Sequence, residues 1–294
     1  MARVSFADAK RVGIALGWVV LFYIVAFGAV YGLTQLLPAR WNDTLAFDPI
    51  ALIESGGLEV ICLGLATYLF GRLINTHSWS ELGWRRPALG PWFHGLALGV
   101  VMASLAVVVG IVSGARLHFT GDWSTWAPVA LPLIIGLTLA ALGEELGFRG
   151  YPMRHLSGAI GVLPAMIILA LPFAIAHIRN PNHSLFGLIN VGLAAIWLAI
   201  AFFSAGGMPL AWGAHLGWNA GLAILFDAPV SGYNFHVPVV EYTPGWHPWV
   251  DGGGFGPEGG IAATIALVGG TLFLLTRRNA FSHQPSAVGK AVAA

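Results

Sequence analysis

Long apolar stretches alternate with short polar links along this chain of 294 residues. A helix needs roughly 20 apolar residues to cross about 30 Å of hydrocarbon. Eight stretches approach this length, and we interpret them as membrane spans: 12–37, 50–74, 92–114, 127–156, 163–179, 185–204, 208–226 and 259–276. The pattern predicts an all-α fold, a polytopic membrane helical bundle with about eight transmembrane helices.

We expect residues 1–294 to form a single membrane domain, whose parts follow from the order of spans and links. Its predicted parts are three N-terminal spans (1–126), a four-helix core (127–226), an outer loop rich in Gly and Pro (227–258), the last span (259–276) and a flexible tail (279–294).

Composition supports a membrane protein, because only 9% of the residues are charged and 57% are hydrophobic. Soluble domains carry about 25% charged residues. The net charge of +1 offers no concentrated basic face, so we expect no nucleic acid as a partner. The lipid bilayer is the first predicted partner. Cys62 is the one cysteine, so no intrachain disulfide is possible.

The basic residues predict the orientation, since cytoplasmic loops carry an excess of Lys and Arg. With the N-terminus inside, alternate assignment places 11 basic residues inside: Arg3, Lys10, Arg11, Arg72, Arg85, Arg86, Arg149, Arg154, Arg277, Arg278 and Lys290. It places 3 outside: Arg40, Arg116 and Arg179. The prediction is a multi-pass protein of the cell membrane with both termini in the cytoplasm.

Ionisable residues within spans are costly, so each is a hypothesis of function by default. We single out six within the predicted spans: the four acids Glu54, Glu59, Glu144 and Glu145 and the histidines His177 and His215. Glu54 and Glu59 are five residues apart and do not share a helix face. We favour structural roles for both, although Glu59 is deep enough to line a cavity.

Three spacings in the C-terminal half place polar groups on common helix faces. Glu145 and Arg149 are separated by four residues and can pair, whereas Glu144 is rotated about 100° away and has no such cation. The same spacing joins Phe173 to His177. It also joins His215 to Asn219.

Depth along the helices predicts that these groups meet. A hairpin around 157–161 puts Glu144 and His177 at one level if the fourth helix continues to about Leu156. His215 lies roughly 12 Å from the inner end of its span. We therefore expect one cluster, nearer the cytoplasm, in an active site that opens toward the cytoplasm.

The three motifs, Glu144-Glu145-x-x-x-Arg149, Phe173-x-x-x-His177 and His215-x-x-x-Asn219, occur in this order. In this they resemble the CPBP family, the CAAX proteases and bacteriocin-processing enzymes, which are intramembrane endopeptidases and include the Ras-converting CAAX endopeptidase. The resemblance covers about residues 127–226.

The resemblance implies a glutamic-type intramembrane endopeptidase in which 127–226 is the catalytic core. Glu144 and His177 would activate a water, and His215 with Asn219 would stabilise the oxyanion. Three further residues would support this set: Glu145, Arg149 and Phe173. The implied substrate is a membrane-associated peptide or protein, lipid-modified substrates included, and no cofactor is implied.

Other interpretations stay open on the residues alone. Glu and His are also zinc ligands, although no His-Glu-x-x-His pair is present and Arg149 disfavours a cation. Intramembrane Glu and His also build the proton relays of transporters. The chain shows no internal repeat of the kind that many transporters have. A catalytically idle relative, serving in immunity or as a scaffold, is the third alternative.

Overall fold

The structure, a computed structural model, describes residues 6–36 and 48–276. All eight predicted segments form helices there. The helices are α1 (Phe6–Thr34), α2 (Pro49–Thr67), α3 (Leu89–Val112), α4 (Trp126–Phe148), α5 (Tyr151–Ile160), α6 (Val162–Ala176), α7 (Leu185–Phe203), α8 (Gly207–Ala220), α9 (Pro248–Asp251) and α10 (Ile261–Thr276). π-Helical turns, Tyr68–Ile74 and Gly221–Leu225, extend α2 and α8. The predicted tail 279–294 lies outside the described residues.

Five helical segments are long and apolar enough to cross a membrane: Ala9–Thr34, Pro49–Ile74, Leu89–Val112, Trp126–Ile160 and Leu185–Phe203. The apolar helices α6 and α10 are shorter, at 15 and 16 residues. Helix α8 has 14 residues before its π-helical turn. A helix of 15 residues is about 22 Å long, so α6 covers only part of the hydrocarbon thickness. The helical membrane bundle is confirmed, but two of its eight predicted members, α6 and α10, are short.

The fourth predicted span differs from the expectation of one helix to about Leu156. Helix α4 ends at Phe148, and α5 begins at Tyr151. Pro152 suits the start of a helix because it lacks an amide proton. A side chain at Gly150 would bring its Cβ within 2.6 Å of the Leu146 carbonyl oxygen. The sequence therefore breaks the helix where the two segments meet.

Helices α3 and α8 are in backbone-to-backbone contact through glycines. A Cβ at Gly99 would lie 2.1 Å from the Ala214 carbonyl oxygen, and one at Gly217 would lie 2.1 Å from that of Leu96. Small residues permit such close approach between helices in membranes. This contact fixes α8, which carries His215 and Asn219.

One end of the bundle, the short-loop face, comprises the links 75–88 and 204–206 and the turn at Gly161. Arg85 Nη1 donates to the Ser204 carbonyl oxygen at 2.7 Å, which joins the two links. Arg11 near the start of α1 donates to the Ala159 carbonyl oxygen at 3.0 Å.

Glu81 ties the 75–88 link to α5 on the short-loop face. Its carboxylate accepts from Arg154 Nη2 at 2.6 Å and from the Ser78 amide at 2.8 Å. Burial acts to raise the pKa of Glu81, but the hydrogen bonds from Ser78 and Arg154 outweigh it and lower the pKa to about 2.

The opposite end, the long-loop face, comprises the links 113–125, 177–184 and 227–260. Strand β1 (Arg116–Phe119) pairs antiparallel with β2 (Val240–Thr243), a small sheet in an otherwise helical fold. Asn180 Nδ2 donates to the Ser231 carbonyl oxygen at 3.0 Å. Links that the sequence assigned to one side of the membrane thus contact one another. Which face is cytoplasmic stays a prediction.

The outer surface of the helices is apolar. Examples are Ile24, Leu65 and Val112, whose side chains are 64%, 64% and 85% exposed. An apolar surface of this extent suits contact with lipid rather than water. Several polar side chains of the helical segments are instead buried in the bundle: Glu145, Arg149, Asn190 and His215.

Candidate active site

A cavity of about 340 Å³ lies inside the bundle, between α2 and α4 on one side and α6, α7 and α8 on the other. All four residues predicted to be catalytic line it: Glu144, His177, His215 and Asn219. Helices α4, α6 and α8 each bring one motif to this cavity. The three motifs therefore meet in space, as their depth along the helices predicted.

The predicted pair of Glu145 and Arg149 forms beside the cavity. Arg149 Nη1 lies 3.2 Å from Glu145 Oε1, and both side chains are almost completely buried. The guanidinium also lies 4.4 Å from the ring centre of Phe173 and donates to the Ala195 carbonyl oxygen at 3.2 Å. A buried carboxylate needs such a partner, since an unpaired charge is costly there.

His215 lies between the two carboxylates of the first motif. Its Nδ1 is 2.9 Å from Glu145 Oε1, and its Nε2 is 3.7 Å from Glu144 Oε2. The sequence predicted neither contact, because it placed Glu145 with Arg149 and Glu144 with His177. A protonated His215 makes the charges of Glu144, Glu145, Arg149 and His215 sum to zero. The four side chains then carry no net charge, which lowers the cost of placing them within the membrane.

His177 follows the last residue of α6, and its ring nitrogens have different environments. Nδ1 lies 2.8 Å from the Phe173 carbonyl oxygen. A carbonyl oxygen only accepts, so Nδ1 carries a proton, and in the neutral ring Nε2 keeps its lone pair. Among the described residues no hydrogen bond or ion pair joins His177 to Glu144. The predicted activation of a water by these two groups therefore stays a prediction.

Asn219 lies one helical turn beyond His215 and lines the same cavity. Its side-chain amide makes no hydrogen bond to any other described residue. The amide is therefore free to donate to a group that enters the cavity.

Glu258, which the sequence assigned only to the outer loop, also lines the cavity. Its carboxylate accepts from Trp218 Nε1 at 2.7 Å, from Ser231 Oγ at 3.0 Å and from the Ser231 amide. Burial raises the pKa of Glu258, opposed by these hydrogen bonds and by the nearby His177. No sequence spacing links Glu258 to the motifs, so only the fold reveals it.

Glu59 is the second carboxylate that the motifs do not include. It lines the cavity from α2, beside Glu144. Gly143 makes this possible, because a Cβ there would lie 2.9 Å from the Cβ of Glu59. The structural role favoured from sequence therefore needs revision to a position on the cavity wall.

The cavity is continuous with the long-loop face. Seven of its lining residues belong to the links of that face: His177, Asn180, Val230, Ser231, Tyr233, Phe235 and Glu258. In the described part of the chain, no link of the short-loop face contributes to the lining. The predicted orientation puts the long-loop face outside; this orientation and the predicted cytoplasmic opening both stay predictions.

The described residues do not form a recognisable metal site. No group of three or more His, Cys, Asp or Glu side chains within 6–36 and 48–276 has the arrangement to hold a metal ion. One nitrogen of His215 is occupied by Glu145, and the guanidinium of Arg149 lies against the same carboxylate. That no metal takes part stays a prediction.

The fold and the site together define a membrane-embedded helical bundle with a polar internal cavity. Residues 125–221, from the start of α4 to the end of α8, match the family described as type II CAAX prenyl endopeptidase Rce1-like. The match confirms the family resemblance over this segment, which is about a third of the chain. No curated protein matches the chain.

Proposed function

We propose that this protein is a glutamic-type intramembrane endopeptidase that hydrolyses a peptide bond of a membrane-associated substrate. One observation carries the proposal. Glu144, His177, His215 and Asn219, from three separate helices, line one cavity within the segment that matches the endopeptidase family.

Two groups are suited to take a proton from the attacking water. Glu144 Oε2 has no hydrogen-bond partner among the described residues, and the side chain is 30% exposed to the cavity. His177 Nε2 has a lone pair because Nδ1 donates to a carbonyl. General base catalysis needs a group within hydrogen-bond reach of the water. A water in the cavity would be within reach of Glu144 or of His177 Nε2.

Two groups are suited to stabilise the oxyanion of the tetrahedral intermediate. His215 in its protonated form donates from Nε2, and the Asn219 amide donates from one turn away. Donors aimed at a developing negative charge are strongest where water is excluded. Glu145 holds the His215 ring through Nδ1, and Arg149 in turn holds Glu145. These two residues position the donor without contacting the substrate.

The apolar part of the cavity wall would contact the substrate group next to the scissile bond. Phe27, Leu52 and Leu63 line the cavity on the side of α1 and α2. This wall would hold an apolar side chain, or a lipid chain on the substrate.

The first test is the loss of peptide cleavage in purified Glu144→Gln protein. General base catalysis contributes about 10²- to 10⁴-fold, so we expect turnover to fall by that factor. Glu54→Gln, the same substitution on a carboxylate outside the cavity lining, is the control and should retain activity. Full activity of both variants would contradict the proposal.

A second measurement separates the metal-free mechanism from the zinc alternative. Activity and zinc content are compared before and after exhaustive chelation. Unchanged activity supports the proposed mechanism, whereas loss that zinc restores would replace it by a metallopeptidase. The Glu144→Gln form, used as a trap followed by mass spectrometry, would identify the bound substrate.

A further inference from the structure

A second carboxyl group, that of Glu59, lies beside Glu144 because α2 and α4 approach each other closely. A Cβ at Gly56 would lie 2.8 Å from the Ala140 amide nitrogen, and one at Gly143 would lie 2.9 Å from the Cβ of Glu59. Small residues permit such close approach between helices in membranes. The same Gly143 Cβ would lie 3.0 Å from Glu59 Oε2. The carboxyl group of Glu59 is therefore held against the residue that precedes Glu144.

Glu59 differs from the other two carboxyl groups that line the cavity. Glu258 accepts three hydrogen bonds from the surrounding protein. Glu144 lies 3.7 Å from His215 Nε2. Among the described residues, no hydrogen bond or ion pair joins Glu59 to a donor or a cation. A polar residue that only joins two helices would have such a partner, so a structural role does not account for Glu59.

The charges around Glu59 favour its protonated form. Four charged side chains on α4 and α8 already sum to zero: Glu144, Glu145, Arg149 and protonated His215. The neighbours of Glu59 one turn away on α2 carry no charge: Ser55, Cys62 and Leu63. An ionised Glu59 would add an unpaired negative charge beside Glu144, and each of two neighbouring carboxylates disfavours the ionisation of the other. Glu59 therefore keeps its proton while Glu144 is ionised.

We propose that Glu59 is the general acid of the reaction, the group that gives a proton to the leaving amine. This proposal rests on the proposed endopeptidase function. An amine leaves poorly as an anion, so its nitrogen must take up a proton as the C–N bond breaks. The paired carboxyl groups then have separate roles, because their surroundings keep one ionised and the other protonated.

Protons and electrons balance over the cycle. Glu144 takes a proton from water as the water oxygen bonds to the carbonyl carbon, and the electron pair of the C=O bond moves to the carbonyl oxygen. When this double bond forms again, the C–N bond breaks and the nitrogen takes the proton of Glu59. The proton on Glu144 then passes to Glu59, and both groups return to their first states. The net reaction is hydrolysis of one peptide bond.

The first experiment compares two leaving groups on the same acyl segment. The probes are a lipid-anchored quenched peptide and a lipid-anchored p-nitrophenyl ester. Nitrophenolate leaves without a proton, so the ester needs no general acid. Purified Glu59→Gln protein should therefore lose about 10²- to 10⁴-fold in kcat on the peptide and keep its kcat on the ester. Glu144→Gln should lose activity on both, because both reactions need an activated water.

Glu54→Gln is the matched control, since Glu54 is a carboxylate of α2 outside the cavity lining. It should retain both activities. An equal loss on peptide and ester in folded Glu59→Gln protein, or no loss on either, would overturn the inference. In that case Glu144 would itself return the water proton to the amine. Retention of both activities by Glu144→Gln would instead count against the proposed function.

The second experiment tests the protonation of Glu59 without a substrate or a variant. Dicyclohexylcarbodiimide is an apolar reagent that reacts with protonated carboxyl groups. The purified unmodified protein is treated with it at neutral pH, and the labelled residues are identified by mass spectrometry. Label is expected on Glu59 and not on Glu144 or Glu258. Label on Glu144 in place of Glu59, or no label on Glu59, would overturn the inference whatever the activity.

Discussion

The buried pair of Glu145 and Arg149 gives the sharpest prediction about stability. Arg149→Met removes the cation at 3.2 Å and leaves the completely buried Glu145 carboxylate with the His215 Nδ1 contact at 2.9 Å. Breaking a buried ion pair by removing one partner costs about 3–5 kcal/mol. The lost contact with the Phe173 ring acts in the same direction, at about 2 kcal/mol for a desolvated cation. Because such contributions are not additive, we expect a total near 4 kcal/mol.

The double variant Glu145→Gln/Arg149→Met is the matched control. It removes both charges, so no uncompensated carboxylate remains. Its remaining losses are the ring contact, the bond to the Ala195 carbonyl and the negative charge beside His215 Nδ1, which keeps the Gln oxygen as an acceptor; we expect about 2 kcal/mol in total. The double variant should therefore be more stable than Arg149→Met by about 2 kcal/mol, roughly a factor of 30 in the folding equilibrium.

The assay is reversible unfolding of the purified protein by titration of a denaturing detergent into mild micelles, followed by tryptophan fluorescence. The order of free energies of unfolding should be the unmodified protein, the double variant and then Arg149→Met. A double variant no more stable than Arg149→Met would refute the reasoning, because the cost would then not arise from an uncompensated charge.

Three further predictions concern packing, the long loop and pH. Gly217→Val should abolish most folded protein in size-exclusion chromatography, since a Cβ there meets the α3 backbone, whereas Gly269→Val, with open space around it, should behave normally. Glu258→Gln replaces one acceptor oxygen by a donor amide and should cost about 1–3 kcal/mol per unpaired polar group. It should therefore speed proteolysis of the 227–260 link, and unchanged proteolysis would count against the contact. The pKa of Glu81 is lowered to about 2 from 4.5, so its pairing with Arg154 stabilises the fold above pH 4.5 and loses this effect as pH falls toward 2. The stability difference between the unmodified protein and Glu81→Gln should therefore shrink below pH 4.5, and a constant difference would contradict it.

Features within a single helix are predictable from sequence. The pair of Glu145 and Arg149 follows from four-residue spacing alone, and the structure confirms it. The meeting of three motifs in one cavity also follows, because helix lengths fix the depth of Glu144, His177 and His215. Hydrophobic pattern and rise per residue are sufficient for both.

Contacts between helices are not predictable in this way. The approach of His215 to Glu145 depends on how α4 and α8 are rotated about their axes, which glycine packing determines. Likewise, Glu258 reaches the cavity through turns at Gly252 and Gly256, whose φ values of 78° and 86° favour glycine. The sequence shows a run of glycines there but not the path that they permit.

The end of a helix is also hard to predict from the hydrophobic pattern. Helix α6 ends at Ala176 and not at 179 as predicted, so His177 lies at the end of its helix.

The glycine contact between α3 and α8 has a consequence for how substrate preference can change. Gly213 and Gly217 lie on either side of His215 along α8, and each meets the main chain of α3. The location of His215 and Asn219 is thus determined by a main-chain contact and not by the side chains around the cavity. Wall residues such as Leu52 are therefore free to vary in size and reshape what is accepted, while the chemical groups stay in register. Specificity and chemistry are carried by separable parts of the bundle, which makes the wall the place to redesign.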